Sequence, residues 1–415
     1  EIVMLSEKPV RTPQYPLPHA MRQTIKDEVS SMLELGVIER AGSPYSSPIV
    51  LVKKSDGKVR FCVDFRKVNK QVQFDAEPMP DVDFLFAKIG QARYLSKLDL
   101  SKGYWQVPLR TADRPKTAFT TPEGTFQWLV MPFGLKTAGA IFSRMMRKLL
   151  APLHRTDIDN FMDDLLVVSE TKEGHLEALR VLFQRLREVN LAARPSKCFL
   201  GFRELEYLGH RVGSGQLWPV DSKVDKIRNA ALPQTKKELR AFLGLAGFYR
   251  RFVPHFSEIA LPLTDRTKGF QPTKLVWDKE GELAFQTLKA RLCDSPVVCL
   301  PCAKLPYVLR TDASEKGLGA VLLQDQGQGL QPVAYASKKL TGPELNYAVI
   351  EKECLAIVWG IEKFDPYLYG KTFVLETDHQ PLQHLDRAKI ANGRLTRWAL
   401  RLQKYSFNIR VIPGK

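Results

Sequence analysis

Apolar residues along this chain of 415 residues change their spacing several times, and each change marks a different kind of element. The first 20 residues carry Pro9, Pro13, Pro16 and Pro18 and read as an extended lead-in. Helical spacing runs from Met21 to Leu35 and stops at Gly36, a residue suited to a helix C-terminus. Ile49 to Val52 and Val59 to Asp64 then read as a hairpin around Ser55-Asp56-Gly57. Leu95 to Leu100, Trp128 to Met131 and Leu165 to Ser169 are further strands, with helices near 137–150 and 173–190. Strands and helices mixed in this way predict an α+β fold.

Beyond Gly213-Ser214-Gly215 the spacing from Ser222 to Phe256 is mainly helical, with Lys, Arg and aromatic residues interleaved. A stretch bearing Pro and Thr near 262–276 reads as a boundary. After it, Tyr307 to Asp312, Gly319 to Gln324 and Val333 to Ser337 predict three strands, 345–364 a helix and Lys371 to Thr377 a fourth strand. The last segment is therefore expected to form a separate α/β domain. No internal repeat or long low-complexity tract interrupts the pattern.

Composition changes the picture mainly through charge. Hydrophobic residues make up 44% and charged residues 26%, ordinary globular proportions, but the net charge is +17. That excess predicts a polyanionic partner, nucleic acid before anionic membrane. No apolar stretch approaches the ~20 residues that span a bilayer, so no membrane partner is expected. The six cysteines form no disulfide framework, and Cys293, Cys299 and Cys302 lack a fourth ligand at zinc-finger spacing. The ends of the chain read as those of a piece of something longer.

Phe161-Met162-Asp163-Asp164, followed by Leu165-Leu166-Val167-Val168, sets two adjacent carboxylates against an apolar strand. Alone, such a pair reads as an exposed acidic turn. A second acid in a similar setting, Leu98-Asp99-Leu100, turns it into a candidate metal site, because divalent cations neutralise crowded carboxylates. Two-metal phosphoryl transfer uses such acids to hold cations about 3.5–4 Å apart. Lys53, Lys54, Lys58 and Arg60 could supply cations for a triphosphate, or could simply form a solvated hairpin edge.

These segments carry a family resemblance. Leu98 to Val107 resembles motif A of retroelement reverse transcriptases, Phe161 to Asp164 motif C, and Met131-Pro132-Phe133-Gly134-Leu135-Lys136 the start of motif B. Val63 to Lys70 resembles the fingers segment, and Tyr207-Leu208-Gly209-His210 the primer grip. Leu243-Gly244-Leu245 and Phe248-Tyr249-Arg250-Arg251-Phe252 resemble the thumb of Ty3/gypsy-type LTR retrotransposons. The resemblance runs in order over nearly the whole chain. It implies a right-hand polymerase of fingers, palm and thumb, followed by an α/β RNase H-like domain.

By that resemblance Asp99, Asp163 and Asp164 are the catalytic metal ligands, the first two more directly, with Mg²⁺ as the ion and Mn²⁺ as the alternative. Lys54 and Arg60 are expected to hold the triphosphate, Tyr104 to gate the sugar, and Phe133 and Gly134 to line the nucleotide pocket. Two departures stand out. Phe161 occupies a position where the family usually has Tyr, which is expected to tune efficiency or fidelity. Thr137-Ala138-Gly139 replaces the usual Asn, Ala and Pro, so helix packing beside the pocket is expected to differ.

Downstream, Thr311-Asp312, Glu351-Lys352-Glu353 and Thr377-Asp378-His379 place acids on a strand, a helix and a strand. With Ala334 to Ser337 and the segment around Tyr367 to Gly370, they resemble the RNase H domain of the same elements. Asp312, Glu353 and Asp378 are the expected metal ligands, with Glu351 pointing outward. His379 either assists product release or is structural. The family's fourth acid would follow Ile412-Pro413-Gly414-Lys415, so the nuclease is expected to be C-terminally truncated here. All six catalytic acids are expected to be buried, and their retention argues against the rival reading, a non-catalytic nucleic-acid-binding relic.

The expected domains are a lead-in over 1–20, fingers and palm over 21–212, a helical thumb over 213–265, a linker or connection over 266–305 and the nuclease over 306–415. Lys223, Lys226, Arg228, Lys236, Lys237, Arg240, Arg250 and Arg251 crowd the thumb, as phosphate contacts would. Tyr207, Leu208, Gly209, His210, Gly244, Gly247, Phe248, Tyr249, Arg250 and Arg251 are the expected nucleic-acid contacts. The resemblance implies RNA–DNA hybrid and DNA duplex template-primers, deoxynucleoside triphosphates and a tRNA or other RNA primer as partners. It leaves a homodimer open and implies a cytoplasmic setting inside virus-like particles.

Overall fold

The computed structural model describes residues 1–53, 59–90, 92–153, 155–269, 271–294, 297–378 and 393–413. The chain divides into two compact units, one formed by Glu1–Leu85 with Tyr94–Phe202, the other by Phe86–Arg93 with Arg203–Lys415. This division falls before the expected boundary at 212, because the strands that follow Phe202 pair onward along the chain with Gln216–Pro219.

The first unit holds two sheets. In a five-stranded sheet, Ser47–Lys53 pairs antiparallel with Val59–Val63, as the hairpin pattern predicts, and parallel with Phe119–Thr121. Gly124–Trp128 and Ile38–Arg40 complete that sheet. The predicted strand Trp128 to Met131 is displaced, since regular pairing ends at Trp128 and Val130 makes only an isolated bridge with Pro108. The other sheet has the order Ile158–Phe161, Asp164–Ser169, Tyr94–Asp99, Phe199–Phe202.

Helices cover these sheets with one apolar stripe each. Arg22–Glu34 buries Ile25, Val29 and Met32, while Ala138–Leu150 buries Ala138, Phe142, Met146 and Leu149. Lys172–Glu188 is capped by the Thr171 side chain, which accepts from the Gly174 N–H at 3.2 Å. Phe65, Phe119, Phe126, Phe142 and Leu165 belong to one continuous core.

In the second unit, Glu204–Tyr207, His210–Gly213, Gln216–Pro219 and Val298–Cys299 form a meander-like sheet. The helical stretch read from Ser222 to Phe256 is four pieces: Asp221–Arg228, Lys236–Phe248, a 3₁₀ turn at Arg250–Phe252 and Phe256–Ile259. Lys279–Cys293 forms a helix where the spacing suggested a linker. The last sheet has the order Leu330–Lys339, Gly317–Asp325, Tyr307–Ala313, Thr372–Thr377, Ser406–Val411, the last strand unforeseen. Helix Val349–Lys363 packs on it and is buried almost all round.

Candidate active sites and nucleic-acid interface

The acidic turn is a two-residue link between Ile158–Phe161 and Asp164–Ser169, with Phe161 and Asp164 paired across it. Met162 takes a φ of 55° at the turn, and Asn160 Nδ2 donates to the Met162 carbonyl at 2.9 Å. Antiparallel pairing then sets Asp99 directly opposite Asp164. The Leu100 N–H donates to the Asp163 carbonyl at 3.2 Å, which fixes the third acid beside them.

Like charges facing each other across strands repel, and two lysines offset this here. Lys97 Nζ lies 3.4 Å from Asp164 and Lys197 Nζ 3.2 Å from Asp99. Burial still pushes the Asp164 carboxyl above its ordinary range; Lys97 pulls it back, and Asp163 and Asp99 push it further up. The expectation that all six catalytic acids are buried is corrected. Asp99 and Asp164 are half-buried, Asp163, Asp312 and Asp378 are exposed, and only Glu353 is buried. Cations must reach these carboxylates from solvent, which explains the exposure.

The residues expected to line the nucleotide pocket cluster beside the turn. Tyr104 packs between Phe133 and Phe142, each ring centroid 5.3 Å away. Burial and the Asp163 charge raise the Tyr104 hydroxyl pKa, keeping it protonated. The Arg60 guanidinium sits 5.8 Å over the Phe133 ring. Gly134 has a φ of 92°, and its carbonyl accepts from Asn69 Nδ2 at 2.8 Å. A Cβ on Gly139 would lie 3.2 Å from Met162 Cε, so the sequence departure at 137–139 leaves room for the turn's own side chain. Lys54, and Lys58 with it, lies outside the described residues.

The nuclease acids converge. Tyr307–Ala313 and Thr372–Thr377 run parallel, with Arg310 opposite Glu376, so Asp312 and Asp378 emerge side by side at the same end. Asp312, Glu353 and Asp378 offer ligand oxygens within 4.8 Å of one another. Among the described residues this is the one group of three His, Cys, Asp or Glu side chains so arranged. Burial, then Asp378 and Asp312, raise the Glu353 carboxyl to about 7. Its Oε2 is buried without a hydrogen-bond partner among the described residues. Glu351 turns away to Arg394, 2.8 Å distant. His379 lies outside the described residues.

Several expected nucleic-acid contacts are corrected. Tyr207 and Tyr249 are 0% exposed and His210 is 5% exposed, so their rings are core rather than contact surface. They build the turn instead. Leu208 and Gly209 have φ of 47° and 73°, the pattern of a type I′ turn. The Tyr249 hydroxyl donates to the Gly209 carbonyl at 2.9 Å, and His210 packs against Phe86, Phe248, Tyr249 and Phe252.

Phe248 is 52% exposed, and a Cβ added at Gly244 or Gly247 would meet nothing within 4 Å, so these three keep an open face. Arg251 stacks 5.5 Å over Phe86. Some thumb cations are committed internally. Lys236 donates to the Lys268 carbonyl at 2.6 Å, Arg240 to that of Thr267 at 2.8 Å and Arg250 to that of Ser337 at 2.7 Å. Sequence reasoning counted their charge and had no signal for these partners. It also missed Lys97 and Lys197 beside the polymerase acids.

The two clusters of acids lie in domains of known kind. A reverse transcriptase (RNA-dependent DNA polymerase) family model matches residues 52–212, and one for the RNase H-like domain found in reverse transcriptase matches 302–405. The retrovirus-related Pol polyprotein from transposon 297 of Drosophila melanogaster is 38% identical over 413 residues, 98% of this chain and 38% of that relative. The transposon Tf2-3 polyprotein of Schizosaccharomyces pombe is 32% identical over 419 residues, 99% of this chain and 31% of the relative. Residues 52–212 thus match a reverse transcriptase domain and 302–405 an RNase H-like domain, and nearly the whole chain is similar to Pol polyproteins of transposons. The chain spans well under half the length of these relatives.

Foamy viral protease-reverse transcriptase structures share the fold at 26% identity and a TM-score of 0.86. One, in complex with RNA/DNA hybrid, is matched over 100% of this chain and 56% of that one; another, with dsDNA, over 99% and 86%.

Proposed function

We propose that this chain polymerises DNA on RNA and DNA templates and degrades RNA in RNA–DNA hybrids. The observation that carries the polymerase reading is the Asp99–Asp164 cross-strand pair with Asp163 at the adjoining turn, beside the pocket of Arg60, Tyr104, Phe133 and Gly134.

Reverse transcriptase and RNase H domains are generally divalent-metal dependent. The donor sets suit hard cations: carboxylates opposed across strands in one centre, and a buried carboxylate oxygen without a partner among the described residues in the other. Asp99, Asp163 and Asp164 would hold Mg²⁺, or Mn²⁺, for polymerisation; Asp312, Glu353 and Asp378 would do so for hydrolysis. When bound, such ions activate the attacking oxygen and stabilise charge on the leaving one.

The chain's own residues do the rest. Arg60 sits where it can take the triphosphate of a deoxynucleotide, and Phe133 beneath it keeps the guanidinium aimed. Tyr104, wedged between two rings, presents a fixed surface to the sugar, where a 2′-hydroxyl would collide. The type I′ turn at Leu208-Gly209 and the open face of Gly244, Gly247 and Phe248 would receive the template-primer backbone. An RNA primer such as tRNA fits this shape-based recognition.

Primer extension on an RNA template compares wild type with Asp163→Asn. The expected loss exceeds about 100-fold, in line with removal of a charged group from a preorganised centre. Equal activity in the two proteins, or none in either, overturns the reading.

A further inference from the structure

One buried histidine ties together the strands that carry the polymerase acids. His175, on Lys172–Glu188, is 2% exposed. Its Nε2 lies 2.7 Å from Ser96 Oγ and its Nδ1 3.2 Å from Ser169 Oγ. Ser96 stands three residues before Asp99 on Tyr94–Asp99, and Ser169 ends the strand that Asp164 begins.

Ser96 has a second partner. The Gly201 N–H donates to Ser96 Oγ at 2.9 Å. Gly201 belongs to the edge strand Phe199–Phe202, where pairing shifts from Leu95↔Phe202 to Lys97↔Phe199. Two residues, Leu200 and Gly201, therefore stand opposite the single Ser96. Such a bulge removes an N–H from the ladder, and here the serine hydroxyl takes it up. Gly201 has a φ of 72°, as the bulge requires. Just before this strand, the Arg194 N–H donates to the Asp99 carbonyl at 2.8 Å and Lys197 Nζ reaches the Asp99 carboxylate.

We propose that His175 is a positioning residue of the polymerase centre: through Ser96 it sets the bulge at Gly201 and so the placement of Lys197 against Asp99. The imidazole touches neither substrate nor acids. It acts through the two serines, which hold three neighbouring strands in one register. An apolar residue of similar size could fill the space but would leave both serine hydroxyls without their ring-nitrogen partners, and Ser96 Oγ without the contact that orients it toward the Gly201 N–H. The proposal rests on the polymerase reading above.

The test uses the whole chain with His175→Leu, His175→Gln and Ser96→Ala. Steady-state primer extension reads kcat and the nucleotide KM separately, and hydrogen exchange reads the amides of 199–202. His175→Leu and Ser96→Ala are expected to lower kcat about tenfold with KM within about twofold, and to speed Gly201 exchange by about tenfold or more. The double variant should be no worse than either single one, because both cut the same chain. His175→Gln, which can still bond to a serine, should recover most of the loss.

A His175→Leu protein that melts earlier yet keeps wild-type kcat per folded molecule overturns the proposal, as does unchanged Gly201 exchange. Should His175→Leu fail to fold, Ser96→Ala carries the same readouts. An inactive wild type overturns the polymerase reading itself, while unchanged exchange with an active wild type overturns only the role of His175.

Discussion

Glu353 is the one candidate catalytic acid that folding takes out of water, and the consequence is legible in its charge. Burial and two neighbouring acids hold its carboxyl at about 7, so the metal-free protein keeps it at a free-energy cost that a cation would offset. Glu353→Gln keeps the shape and removes the charge. In chelator near pH 8 it should melt about 2–4 °C higher, a gain of roughly 1 kcal/mol, while RNA cleavage in a hybrid is lost. A variant that melts lower and still cleaves would contradict the metal-site role. His175 gives the opposite kind of titration. Burial lowers its imidazole below the usual 6.5, Asp157 alone pulling the other way, and the Tyr94 ring packs 6.0 Å from it. The unfolded imidazole therefore takes up a proton first as pH falls. Its contribution to stability is present above about 6.5 and is lost as pH drops through the folded value. Denaturant midpoints measured near pH 7.5 and 5.5 should differ less in His175→Gln than in wild type.

At the scale of elements, the turn at Leu208-Gly209 depends on backbone conformations that few residues adopt. Gly209 has a φ of 73°, and a Cβ there would lie 3.0 Å from Phe248. Gly209→Ala should lower unfolding free energy by about 1–2 kcal/mol in denaturant titration. Much of the element pattern could be read from sequence. The hairpin of Ser47–Lys53 with Val59–Val63, the acid-bearing strands and helix Val349–Lys363 all have strong apolar spacing, and pairing sets Asp99 opposite Asp164. What escaped had physical reasons. Phe199–Phe202 is exposed on every residue, so no alternation of burial marks it as a strand. In Lys279–Cys293, Gly281 looks like a helix breaker, yet it sits in the first turn, where its N–H donates to the capping Asp278 side chain at 2.7 Å. Tyr207, His210 and Tyr249 resemble contact residues in a motif string, and only the three-dimensional packing around Phe86 and Phe252 makes them core.

For the molecule as a whole, a net charge of +17 overstates what nucleic acid can use. Lys236, Arg240 and Arg250 already serve backbone carbonyls, whereas Lys237 is exposed on the same helix. Affinity for a template-primer should fall with salt, and Lys237→Ala should reduce the log–log slope by about one. Arg250→Ala should reduce it less, because the Ser337 carbonyl leaves the guanidinium charged but holds it in a fixed direction; fluorescence anisotropy across a salt series separates the two. The division of the chain adds a consequence for synthesis on the ribosome. Phe86–Arg93 is made early but belongs to the later unit, where Phe86 is 1% exposed beside His210 and Arg251. A nascent chain that has reached Phe202 thus carries an apolar segment whose cover has not yet been translated. For roughly another 50 residues of synthesis, until Arg251 is made, that segment lies outside the ribosome without its cover and is a point of misassembly unless a chaperone shelters it.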